Sequence, residues 1–285
     1  MKHSRILPYL LTAPGLAFLV AILYPFLTGA WWSFTSYRLD RGDPEFNWGA
    51  NYLNLFTTGE GLHALFITLL YAVSTVVIET ILGIGIAMLL NRGRYGDYFR
   101  FLIVLPLLLP PVIATLMWKV MLTDNGLVNY LLQSIGLDKS LWLNGPSTAL
   151  ASVILIDVWI FTPFVVLLAQ AGLRSVPTEL REASAIDGAG PIRNFLSITL
   201  PLLRPVLVVI IVFRGIDSLK MFDIIYTSTK GGPVDVTTTF HVMAYLDGIR
   251  SLNFGMAMAS LVLLWILIYV ISSRLLKIRR QESLS

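Results

Sequence analysis

Long apolar runs alternate with short polar stretches along this chain, and six of the runs are near the roughly 20 residues that cross a bilayer as a helix. They cover residues 7–34, 62–90, 101–122, 148–173, 202–225 and 254–276. No connection has the length of a separate soluble domain. The pattern therefore predicts one all-α membrane domain over residues 1–285, with six transmembrane helices. Lys2 and Arg5 precede the first run, as in a signal peptide. The run is too long for one and no small-x-small cleavage site follows it, so an uncleaved span is expected. The stretch 40–61 is rich in Gly, Asp and Asn and reads as irregular.

One polar segment, 174–201, interrupts this pattern between the fourth and fifth runs. Pro177 is tolerated in a first helical turn, and Gly188 is the usual left-handed terminator, so a short helix is expected between them. Glu179, Arg181 and Glu182 give it a charged face, while Leu180, Ala183 and Ile186 recur every three residues on the other. Such a helix suits docking onto something outside the membrane. It equally suits lying among the lipid headgroups.

Composition narrows the class. Of 285 residues, 56% are hydrophobic and 13% charged, with a mean hydropathy of +0.75, outside the range of soluble globular domains. There is no cysteine, which excludes disulfides, a thiol nucleophile and thiolate metal sites. His3, His63 and His241 lie in separate segments, so no metal-ligand spacing exists. The chain has no phosphate-binding Gly-x-x-x-x-Gly-Lys-Ser/Thr loop, no His-Glu-x-x-His and no Gly-x-Ser-x-Gly. Gly188-Ala189-Gly190 follows no strand and is not a dinucleotide site. The expectation is a transport subunit, not an enzyme, with no catalytic residue, no metal and no cofactor of its own.

Charge orients the spans. With the N-terminus cytoplasmic, twelve basic residues fall on the inner side and six on the outer, counting Lys220 as outer. The bias predicts both termini cytoplasmic and puts the Glu182 helix inside. Trp31, Trp32, Trp48 and Trp142 lie near span ends, as an interfacial belt would.

Ionisable residues within the runs need a partner or a wet cavity. Glu79 is deep in the second run, Asp157 in the fourth, and Arg214 and Asp217 in the fifth, with Lys220 one turn further out. Arg214, Asp217 and Met221 share a face by spacing, with Lys220 adjoining. That face either lines a translocation path or holds a structural pair of Arg214 with Asp217 or with a neighbouring helix. Glu79 reads as structural, because Gly83 and Gly85 follow it and permit tight helix contact. Lys119 and Arg204, nearer run ends, fit snorkelling. Pro106, Pro110 and Pro111 mark either a hinge or simple kinks.

Three stretches carry a family resemblance. Glu182, Ala183, Asp187, Gly188, Ala189, Phe195, Ile198, Leu200 and Pro201 stand in step with the "EAA" loop of membrane subunits of ATP-binding-cassette (ABC) importers, Ser184 replacing the family's preferred Ala. Phe222-Asp223-Ile224-Ile225-Tyr226, then Thr229, Gly231-Gly232-Pro233 and Thr237, resembles the F-D-x-I-Y-x-x-T-x-G-G-P stretch of the maltose and glycerol-phosphate permease group. Tyr24-Pro25 and Ser33-Phe34 resemble that group's first span.

The resemblance implies the type I importer permease fold in its six-span form, in a bacterial or archaeal cytoplasmic membrane. It implies half of a pore for a carbohydrate or carbohydrate derivative. Implied partners are a second homologous permease, two ATPase subunits that bind ATP and Mg, an extracytoplasmic solute-binding protein and membrane lipid, but no nucleic acid. Glu182, Ala183, Ser184, Asp187, Gly188, Leu200 and Pro201 would then couple to the ATPase. Arg214, Asp217, Lys220, Asp157 and Trp159 are the substrate-pathway candidates. The guanidinium fork of Arg214 would favour an anionic sugar derivative, unless it only neutralises a carboxylate. The alternative is an ion-coupled secondary transporter with Glu79 and Asp157 as relay groups, which leaves the Glu182 motif unexplained.

Overall fold

The computed structural model describes residues 7–92, 96–177, 179–180, 184, 186 and 188–282. Among these residues there is no β-strand, only the isolated bridges Thr35–Phe46 and Arg38–Arg41. Five helices are long and apolar enough to cross a membrane. They lie in α1 (Leu7–Trp32), α3 (Glu60–Arg92), α7 (Ala149–Arg174), α8 (Pro191–Leu219) and α11 (Phe254–Glu282).

A sixth crossing is broken. α4 (Gly96–Val104) runs into a 3-10 turn at Leu105–Leu108, and α5 (Pro111–Met121) leaves at a bend of 100°. The break falls on the proline cluster. Pro106, Pro110 and Pro111 supply no backbone donor, and the extended backbone of Leu109 is what a following proline imposes.

The fifth run also differs from its expected extent. The helix ends at Leu219, and a separate short helix, α9 (Asp223–Ser228), follows. Met221, Phe222, Ile224 and Ile225 prolong the apolar signal past the point where the helix stops. At its start, α8 passes through a π turn at Phe195–Thr199, where the Leu200 N–H reaches back to the Phe195 carbonyl. Pro201 and Pro205 lack donors just beyond, so the ladder is re-registered there. Nor is 40–61 wholly irregular. α2 (Ala50–Thr57) forms within it, held by Asn51, whose amide donates to the carbonyls of Ser33 and Thr35, both at 2.9 Å. The remaining short helices are α6 (Leu127–Ser134) and α10 (Phe240–Tyr245).

Backbone contacts group the chain into two compact units. The first holds residues up to Leu62 together with Met243–Trp265. Phe26 meets Trp265 edge-on, and Gly255 N–H bonds the Tyr37 carbonyl at 2.9 Å. Its first span is apolar all round, with Leu16, Phe18 and Tyr24 exposed, as befits a helix facing lipid or other chains. The second unit is His63–Val242 and the residues from Ile266 onward. α7 is its centre: Ile156, Ile160, Val165, Val166 and Ala169 are buried. Near the far end of α7, Val166, Ala169 and Leu173 pack with Ile84 and Ala87 of α3 and Leu203 of α8.

Candidate functional site

Three of the most buried positions in the second unit are ionisable. Arg214 of α8 is 1% exposed, while Glu79 of α3 and Asp157 of α7 are both 0% exposed. A lone charge there would be prohibitive, so each is paired. The Arg214 guanidinium grips Glu79 with two bonds, Nε to Oε2 at 2.6 Å and Nη2 to Oε1 at 2.8 Å. Its Nη2 also donates to Asp157 Oδ1 at 2.7 Å. The Tyr71 hydroxyl donates to the other Asp157 oxygen. Ser218, one turn beyond Arg214, accepts from Thr75 at 3.0 Å. The guanidinium carbon lies 4.1 Å from the centroid of the Phe161 ring.

Local sequence explains how α3 meets this cluster. Thr68, Tyr71, Thr75 and Glu79 recur every three or four residues and form one polar stripe. Gly83 continues the stripe by one turn. A Cβ there would meet Val165 of α7 at 2.5 Å, so glycine permits the close approach of α3 to α7. Gly85 has open space instead and makes no such contact. That stripe is the signal from which Tyr71 and Thr75, which the sequence reading missed, could have been found; Ser218 and Phe161 carry none.

The pathway candidates separate into two environments. Arg214 and Asp157 are sealed in the cluster. Asp217 and Lys220 pair with each other at 3.1 Å, with side chains 45% and 56% exposed. Arg214 therefore pairs with two neighbouring helices and not with Asp217. The geometry is helical: Ser218 follows Arg214 by four residues and stays within about 40° of it, whereas Asp217 lies about 60° to the other side. Trp159 is half-buried and meets Trp118 of α5 edge-on at 5.6 Å. The structure does not bring these five residues to one surface.

Of the coupling candidates, Glu182, Ala183 and Asp187 lie outside the described residues. Ser184 and Ile186 are helical, and the segment stops as its glycine requires. Gly188 is left-handed at φ 78°, and the Ala189 N–H bonds the Ser184 carbonyl at 3.0 Å, the six-residue closure of a glycine-terminated helix. Ile186 is 86% exposed and Leu180 is exposed too, leaving an apolar face uncovered by this chain. Leu200 and Pro201 stand where the π turn hands over to the rest of α8.

Chemically, the Arg214 cluster is a closed latch joining three spans, and the Ser184–Gly188 turn is an open, shaped end. Residues 79–281 match the family described as "Binding-protein-dependent transport system inner membrane component". The chain is 37% identical over 81% of its length, and 78% of the other's, to the trehalose/maltose transport system permease protein of Thermococcus litoralis. It is 34% identical to the sulfoquinovosyl glycerol transport system permease protein of Agrobacterium fabrum, over 98% of this chain and 92% of that one. It is 32% identical to the sn-glycerol-3-phosphate transport system permease protein of Escherichia coli, over 95% and 92%. Its fold matches a chain of a bacterial ABC transporter involved in the import of the acidic polysaccharide alginate, with a TM-score of 0.81 and 22% identity, covering 96% of this chain and 95% of that one. The chain belongs to the family of binding-protein-dependent transport system inner membrane components.

Proposed function

We propose, from that membership, that this permease is one half of the pore of an ATP-driven importer for a carbohydrate or carbohydrate derivative. The observation that carries the substrate class is that three relatives at 32–37% identity are named for a sugar or a sugar-like glycerol derivative. In this reading a second homologous permease completes the pore. Two ATPase subunits bind ATP and Mg beneath it, and an extracytoplasmic binding protein delivers the solute. This chain carries no nucleotide, metal or cofactor. The basic-residue bias supports both termini on the cytoplasmic side of a bacterial or archaeal inner membrane. Relay chemistry by Glu79 and Asp157 loses its support, because Arg214 occupies both carboxylates.

Coupling runs through Glu182, Ala183, Ser184, Asp187 and Gly188, with Leu200 and Pro201 passing the motion to the rest of α8. The uncovered Ile186 and the glycine stop support this. Gly188 also supplies the test. Among the described residues a Cβ at 188 meets nothing within 4 Å, so only the left-handed φ objects to a side chain. Asn tolerates that conformation. Gly188→Asn therefore keeps this chain folded while adding bulk where the ATPase would sit. In the reconstituted complex the variant is expected to assemble in membranes, with uptake lowered at least about tenfold and stimulated ATP hydrolysis lost or decoupled from transport. Normal uptake and normal stimulated hydrolysis would remove this turn from the mechanism.

A further inference from the structure

Arg214 drew the anionic-substrate expectation, yet its charge is spent on two carboxylates. Accessible positive charge in the second unit lies elsewhere. A cavity of about 410 Å³ is lined by Lys119 and Leu122 from the end of α5, by Leu143 and Asn144, and, where α9 ends, by Ser228, Thr229, Lys230, Gly232 and Pro233. That volume lies within the range of about 300–1,000 Å³ usual for small-molecule sites. No carboxylate lines it. Among the described residues neither Lys119 nor Lys230 makes an ion pair, and Lys119 Nζ donates only to the Thr227 carbonyl at 3.2 Å. Leu122 and Leu143 are buried, so an apolar wall stands beside the ammonium groups and strengthens their field.

The cavity is pre-formed. Gly231 is left-handed at φ 94°, and a Cβ there would meet Thr238 Oγ1 at 2.6 Å. Thr238 Oγ1 donates to the Gly231 carbonyl at 3.0 Å, and Thr237 Oγ1 to the Gly232 carbonyl at 2.9 Å. Thr229 and Thr237 share a hydroxyl–hydroxyl bond of 2.7 Å, and His63 Nε2 is 2.9 Å from the Asp235 carbonyl. The Gly-Gly-Pro stretch is thus held rigid with Lys230 at its edge, and a rigid wall lowers the entropy lost on binding.

We propose that this cavity is an entry subsite for the acid group of an anionic, polyhydroxylated solute: a carboxylate, phosphate or sulfonate held by Lys119 and Lys230, with the Asn144 amide available to hydroxyls. The inference rests on the import reading above, whose topology puts this end of α5 and α9 at the outer mouth. Two ammonium groups act as point charges and accept any of the three anions.

The test uses the complete complex in proteoliposomes with its binding protein. It is offered labelled maltose, sn-glycerol 3-phosphate, glucuronate and sulfoquinovosyl glycerol. Asn suits the left-handed backbone of Lys230, φ 58°, so Lys230→Asn removes charge without straining the turn. Lys119→Gln removes the second charge, and Lys119→Arg keeps it. Lys139→Gln is the control, since its ammonium lies 3.6 Å from Asp124 and does not line the cavity. The expected result is ATP-dependent import of an anionic solute, lowered at least about tenfold through KM by Lys119→Gln with Lys230→Asn. Lys139→Gln leaves it unchanged and Lys119→Arg retains most of it. Import of maltose alone overturns the subsite and leaves the import function standing. So does an anionic uptake that the double variant does not alter. Equal loss for maltose and the anions, with weaker binding-protein docking, assigns the lysines to that protein and overturns the small-molecule subsite. A complex that imports none of the four and shows no binding-protein-stimulated ATP hydrolysis overturns the import reading itself.

Discussion

Arg214 and Lys220 stand six residues apart on one helix and its cap, and they meet opposite fates. Arg214 is sealed between Glu79, Asp157 and the Phe161 ring; Lys220 lies in the open against Asp217. The same Coulomb attraction does different work in the two places. In the interior an unpaired charge is so costly that partners come from two neighbouring helices, and the cluster becomes a joint of three. At the surface, solvent screens the pair and leaves it free to exchange partners. A charge within an apolar run therefore has two physical meanings, and burial separates them.

The largest effect should come from breaking the joint. Arg214→Gln leaves two carboxylates buried without a cation, a loss of about 3–5 kcal/mol in comparable buried pairs. The expected outcome is a sharp fall in assembled complex, measured as yield and as apparent melting temperature in detergent. Replacing all three members, Arg214→Met with Glu79→Leu and Asp157→Leu, removes the stranded charges and is expected to recover much of the yield. Transport by that triple variant at near the parental rate would establish the cluster as scaffold. A folded triple variant that no longer transports would return Arg214 or Asp157 to the pathway.

The exposed pair should behave in the opposite sense. Asp217→Asn or Lys220→Gln is expected to change stability by only about 0–1 kcal/mol. If Asp217, Lys220 and the half-buried Trp159 face the solute on its way, either change lowers uptake by a few-fold with assembly intact. Unchanged uptake in both variants excludes the pair from the path.

How far the sequence foretold this arrangement depended on the range of the interaction. Spans were readable because some twenty apolar residues in a row have one meaning in a bilayer. The glycine stop at Gly188 was readable because a left-handed terminator is a local requirement. The broken third crossing was half-readable: the prolines marked the place but not the 100° angle. The end of α8 at Leu219 was hidden by the apolar residues that follow. α2 was hidden in a stretch that looked irregular. The partners of Arg214 were out of reach, since spacing along α8 offers Asp217 and Ser218 but cannot reveal a carboxylate 135 residues away on α3. The division into two units left no trace in the hydropathy pattern.

The smallest expected effect concerns a carboxylate that found no cation. Asp247 lies in the π turn Leu246–Arg250 between the last two spans, and among the described residues its Oδ2 has no hydrogen-bond partner. Burial, and then the charge of Glu60, raise its pKa from the ordinary 3.8 to about 6. Glu79 and Asp157 gained an arginine; Asp247 instead holds its proton up to about pH 6. The folded state thus binds more protons than the unfolded one between those two pKa values, so stability falls as pH rises through that window. The contribution is full below about pH 4 and gone above about pH 6, the two ends of the shift. Asp247→Asn cannot ionise, and its amide leaves intact the backbone carbonyl that accepts from Asn253 at 2.8 Å. The variant should lose this segment of the pH profile. Its apparent melting temperature should match the parent near pH 4 and exceed it at pH 7.5 by no more than about 2 °C, given the partial solvent exposure of the side chain. Parallel profiles for the two proteins across pH 4–7.5 would mean that Asp247 ionises as in the unfolded chain, and that burial without a cation is tolerated here as it is not around Arg214.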